Sequence, residues 1–71
     1  MTPAPVRAYV LSLRNHAKQD YAAAYAFHLL RGEPAPASCD RLRDGSPAYP
    51  GLSYMAAQAV RMRLSALVAG R

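Results

Sequence analysis

From Val6 to Arg31 the chain runs without glycine or proline and is dense in alanine, until Gly32 and Pro34 provide a stop. Pro5 suits the first turn of a helix, where its missing N–H has no intrahelical partner to lose. The pattern predicts one long helix over 5–31. At 100° per residue, Val6, Val10, Leu13, Ala17, Asp20, Ala24 and His28 fall together, with Tyr9 and Phe27 at the edge, as the expected buried stripe. Ser12, Asn15 and Gln19, with Ala8 and Ala26, lie opposite. Between the two runs an arc of Arg7, Leu11, Arg14 and Lys18, continued by Tyr21, Tyr25 and Leu29: basic first, then aromatic and aliphatic.

Residues 32–51 carry four prolines and read as an irregular connection, with one helical turn expected about Ser38 to Arg43. A connection this long in a small domain is either packed or functional. Tyr49, between Ala48 and Pro50, is a candidate anchor for it. A second helix is expected over 52–69, with Ser53 as N-cap and Gly70 as the stop. Its apolar arc takes in Met55, Ala59, Val60, Met62, Leu64, Ala66, Leu67 and Val68 and leaves Tyr54, Gln58, Arg61 and Ser65 as the polar face. One neighbouring helix cannot cover an arc so wide.

The expected fold is therefore all-α: a single domain over 1–71 made of a two-helix antiparallel hairpin with a proline-rich connecting loop, dimerising into a four-helix arrangement. Asp20 and Arg63 interrupt the two apolar stripes at equal distances from the connection. The hairpin register would bring them level as an ion pair. Composition agrees with helices, since 15 alanines and 8 leucines stand against 4 valines and no isoleucine. It also implies a thin core, because fifteen of the 37 hydrophobic residues are alanine. So small a domain needs very regular packing, a staple or a second subunit.

The single cysteine, Cys39, can neither close an internal disulfide nor complete a zinc site. No apolar run approaches the roughly 20 residues of a membrane span, and Arg7 interrupts the stretch Val6 to Leu13, so a cytoplasmic protein with no membrane contact is expected. His16 and Asp20 share a helix face, but further ligands are missing and an ordinary surface pair explains them, so no metal and no cofactor are expected. There is no phosphate-binding glycine loop, no nucleophile elbow and no pair of carboxylates sharing a pocket. The chain is not expected to be an enzyme.

What remains are surfaces. A net charge of +5 favours acidic partners, and Arg7, Arg14 and Lys18 could follow a phosphate backbone, with Arg41, Arg43 and Arg61 adding to the field. Tyr21, Tyr25, Leu29 and Tyr54 offer a partner-binding surface, or one buried in a homodimer. There is no helix-turn-helix spacing, RNA-binding aromatic motif or run of consecutive basic residues. The sequence therefore points first to a small regulator or inhibitor that docks a mixed basic and tyrosine surface on another protein, of the accessory kind that phages and mobile elements encode. A nucleic-acid-binding regulator using the basic helix face is the alternative.

Overall fold

The computed structural model describes residues 2–70. It contains three helices: α1 Ala4–Ser12, α2 His16–Arg31 and α3 Tyr54–Ala69. Among the described residues there is no strand, only an isolated antiparallel bridge between Arg41 and Pro47. None of the helices among the described residues is long and apolar enough to cross a membrane.

The single helix expected over 5–31 is two helices. Pro3 and Pro5 start α1, and the N–H groups of Val6 and Arg7 both donate to the Pro3 carbonyl at 3.1 Å. The helix ends where Leu13 turns extended (φ −76°, ψ 125°) and Asn15 follows at φ −81°, ψ 124°. Asn15 is the N-cap of α2: its side-chain oxygen accepts from the Lys18 N–H at 3.0 Å. On the other side of the break the Gln19 amide donates to the carbonyls of Val10 and Leu13, at 3.3 and 3.2 Å. The Leu13 carbonyl thus gains a partner from α2, and the Val10 carbonyl a second one beside the Leu13 N–H. Asn15 and Gln19, which a continuous helix would turn to solvent, are spent on making the break, and the Ser12 hydroxyl donates to the Tyr9 carbonyl at 2.6 Å in the last turn of α1.

The break folds α1 back against α2 and resets the helical phase. On α2 the buried residues are Tyr21, Ala22 and Ala26, one step round from the expected Asp20, Ala24 and His28. With Val6 of α1 and Ala57, Val60 and Leu64 of α3 they form the core, bordered by Tyr9, Val10, Leu13, Tyr25, Leu29, Tyr49, Leu52, Leu67 and Val68. Ala22, Ala26 and Ala57 let the helix axes approach, and α2 against α3 is the principal packing. The expected pair of Asp20 and Arg63 does not form. Both are exposed, and the ion pair among the described residues is Arg31 with Glu33 at 3.2 Å, the His28 ring being hydrogen-bonded to the same carboxylate at 3.2 Å. Asp20 instead lies near enough to Tyr49, and Arg63 to Tyr9, to influence those phenols electrostatically.

Gly32 ends α2 in the left-handed conformation (φ 70°), which lets its N–H and that of Glu33 reach back to Leu29 and His28, at 3.2 and 3.0 Å. The connection that follows is ordered differently from the expected helical turn. Between Asp40 and Ala48 it doubles back on itself. The Leu42 N–H donates to Ser46 (2.8 Å) and the Ala48 N–H to Asp40 (2.9 Å), around a turn in which the Asp44 carboxylate accepts from both the N–H and the hydroxyl of Ser46. Gly45 at φ 90° is what allows the reversal.

Tyr21 ties this connection to the helices. Its ring, fully buried, meets Tyr49 edge-on at 5.0 Å between centroids and Tyr25 at 5.9 Å, and its hydroxyl donates to the Pro36 carbonyl at 3.0 Å. Tyr49 is thereby the anchor its setting between Ala48 and Pro50 suggested. Burial raises the phenol pKa of Tyr21 above its ordinary value, against the lowering influence of the Arg61 guanidinium beside it. Burial raises Tyr9 and Tyr49 as well.

Two outcomes follow from this arrangement. Asn15→Ala should destabilise the protein by about 1 kcal/mol in urea melts, the usual cost of a lost N-cap. Because the three tyrosines have higher pKa values folded than unfolded, their contribution is complete below pH 10 and is lost as pH rises past it. Melting temperature should be level from pH 7 to 9 and fall steeply above about 10.

Candidate functional site

Where α1 folds back, two small residues of α2, Ala23 and Ala26, face it and cannot fill the space between the helices. The result is an open groove of about 230 Å³ lined by Thr2, Val6, Arg7, Val10 and Leu11 on one side and Ala23, Ala26 and Phe27 on the other. Its wall is almost wholly apolar apart from Arg7. Leu11 and Phe27 stand at the mouth, 68% and 56% exposed. Phe27 is held by its own helix: the Arg31 guanidinium lies 4.9 Å from the ring centroid and the His28 imidazole packs edge-on at 5.5 Å. Glu33 in turn accepts from Arg31 and His28, at 3.2 Å each.

Of the two arginines at the groove, Arg31 is paired with Glu33 and Arg7 is not. α1 and α3 contain no acidic residue, since Asp20 lies on α2 and Glu33, Asp40 and Asp44 lie in the connection. Arg7 has no acidic partner within 4 Å among the described residues. At about 230 Å³ the groove is smaller than the roughly 300–1,000 Å³ of small-molecule sites. It suits one or two side chains projecting from another macromolecule. Among the described residues no three His, Cys, Asp or Glu side chains are gathered as a metal site would require.

The structure scatters much of the surface expected from the sequence. Arg7 lines the groove, but Arg14 lies in the break between α1 and α2, so Arg7, Arg14 and Lys18 no longer share a helix. Tyr21 is fully buried, and Tyr25 and Leu29 are half-buried against the core, so this stretch serves the protein's own interior. Tyr54 is exposed at the start of α3, 5.9 Å from the Arg61 guanidinium, which also contacts the Gln58 side chain. Proximity to the Tyr21 hydroxyl raises the pKa of Arg61. Arg41 donates to the Gly45 carbonyl at 2.8 Å, and Arg43 is exposed in the same turn. Cys39 is free and exposed.

Phe27, Ala23 and Arg31 were not among the site residues that helical periodicity singled out. Phe27 sits at the edge of the stripe expected to be buried, and only the new phase of α2 turns it outward. The spacing of Phe27 and Arg31, one helical turn apart, is the one signal that could have found the pair.

Compared with protein-family models, with curated proteins and with solved structures, the chain matches none. What the fold and the groove define by themselves is a small three-helix protein with an open apolar cleft bordered by arginine.

Since Phe27 is more than half exposed, Phe27→Ala should cost less than about 1 kcal/mol in a thermal melt, well under the roughly 3–5 kcal/mol of a buried phenylalanine. A larger loss would make the ring part of the core.

Proposed function

We propose that the protein is a small non-enzymatic binding protein, a regulator or inhibitor, that docks on another protein through the groove between α1 and α2. The observation that carries this reading is an apolar cleft left open to solvent with an aromatic and an aliphatic side chain at its mouth and arginines at its border. Aromatic residues and arginine are the usual anchors of protein interfaces. Charge complementarity specifies the partner's chemistry: an amphipathic helical segment whose apolar face inserts between Leu11 and Phe27 while a flanking Asp or Glu meets Arg7. The tyrosine part of the surface first expected is replaced in this reading by Phe27. A homodimer belongs to the same proposal, because α3 leaves Met55 and Met62 mostly exposed, at 74% and 66%. With three helices in each copy, such a dimer would have six helices in place of four.

The test uses two synthetic amphipathic peptides with the same leucine face, one flanked by glutamate and the other by lysine. The glutamate peptide should bind more tightly, and binding should weaken as salt is raised. Phe27→Ala should cost about 2 kcal/mol, roughly thirtyfold in affinity, as an interface anchor does. Equal binding of the two peptides, or binding indifferent to Phe27, overturns the proposal. Labelled duplex and single-stranded nucleic acids go through the same titration. Tight binding there that depends on Arg14, Lys18, Arg41 and Arg43 and not on Phe27 would replace it with a nucleic-acid-binding regulator.

A further inference from the structure

The outer face of α3 carries a pattern that its own fold leaves uncovered. Met55, Ala59, Met62 and Ala66 follow one another at intervals of four, three and four residues, the spacing of a helix–helix seam, and all four are exposed. The opposite side of the same helix, Ala57, Val60 and Leu64, is buried in the core. Along the seam, large and small side chains alternate.

We infer that this face is the surface on which a second copy of the chain pairs, with the two α3 helices antiparallel and each methionine set against an alanine. This rests on the self-association included in the reading above and names its surface. The alternation is self-complementary about a point between Val60 and Arg61. Met55 then faces Ala66 of the second copy, Met62 faces Ala59, and the reverse contacts follow by two-fold symmetry. Parallel pairing would instead stack methionine on methionine and alanine on alanine, alternately forcing the helices apart and leaving gaps.

Charge is compatible with this arrangement. α3 holds Arg61 and Arg63 and no acid. In the antiparallel register Arg63 stands at the flank of the seam and lies nearest Ala56 of the second copy, so no like charge is set directly against it. The area sets the strength of the dimer. A 16-residue helix is about 24 Å long and 10–12 Å across with its side chains, so the footprint of two copies laid along each other is roughly 500 Å² in all, at the small end for specific interfaces, and the pairing is weak and concentration-dependent. Since each copy carries +5, repulsion opposes pairing and salt should favour it.

The intact protein, examined by sedimentation equilibrium from micromolar to submillimolar concentration, should show a monomer–dimer equilibrium that tightens as salt is raised. Met62→Glu should weaken it at least tenfold while the helical circular dichroism is unchanged. Ala59→Met and Met62→Ala should each weaken the homodimer, and a one-to-one mixture of the two should recover it, because every methionine then meets an alanine. With nitroxide labels at position 69 on a Cys39→Ser background, the antiparallel register puts the two labelled backbone positions about 25 Å apart along the helix axes. A parallel pair would bring them together. A chain that stays monomeric throughout overturns self-association and this surface with it. A dimer that ignores Met62→Glu but responds to Phe27→Ala keeps self-association and moves it to the groove, overturning the α3 seam.

Discussion

The Tyr21 side chain is completely buried in a helix whose other interior residues are two alanines, and its hydroxyl donates to the Pro36 carbonyl at 3.0 Å. That one residue is where the parts of the molecule meet. Its ring supplies bulk that Ala22, Ala26 and Ala57 cannot, its edge-on contact with Tyr49 holds the far end of the proline-rich connection, and its hydroxyl holds the near end. A buried phenol without an acceptor would cost about 1–3 kcal/mol, so the backbone of Pro36 has to lie where it does. The position of α3 is coupled to the same residue through Arg61, which sits beside the hydroxyl.

A core built this way is thin, and its thinness explains the surfaces. Alanine lets helices come close but fills little volume, so α1 against Ala23 and Ala26 leaves a groove, and α3, gripped on one side by Ala57, Val60 and Leu64, leaves its methionines outside. Larger domains cover such faces with further elements. The three helices of the described residues leave both uncovered. As proposed binding surfaces the two faces differ in charge: the groove carries Arg7 and would favour an acidic partner, whereas the seam is neutral along its line and a pair of like copies would have to overcome their repulsion. Salt should therefore act on them in opposite directions.

The helical class, the Ser53 and Gly32 boundaries, the irregular connection and the anchoring place of Tyr49 could all be read in the sequence, because each depends on neighbours close along the chain. A cap needs a side chain within three residues of the N–H it serves, and a left-handed stop needs glycine. The start of α2 was written there too, in Asn15 three residues before Lys18. It was obscured because a run without glycine or proline is equally consistent with an unbroken helix.

What only tertiary structure decided is phase. Moving the start of α2 to His16 rotated which side chains face inward, so that Asp20 went to solvent, Tyr21 to the centre and Phe27 to the rim of the groove. The expected partnership of Asp20 with Arg63 and the shared stripe of Arg7, Arg14 and Lys18 both assumed continuous helical phase, and both were lost at Leu13 to Asn15. By itself the sequence determined that there would be helices, where most of them would stop, and that there would be too little bulk to bury every apolar face. Which faces stayed open depended on α1 folding back, and that is settled by packing between residues distant along the chain, such as Val6 of α1 and Leu64 of α3 in one core, which local periodicity does not encode.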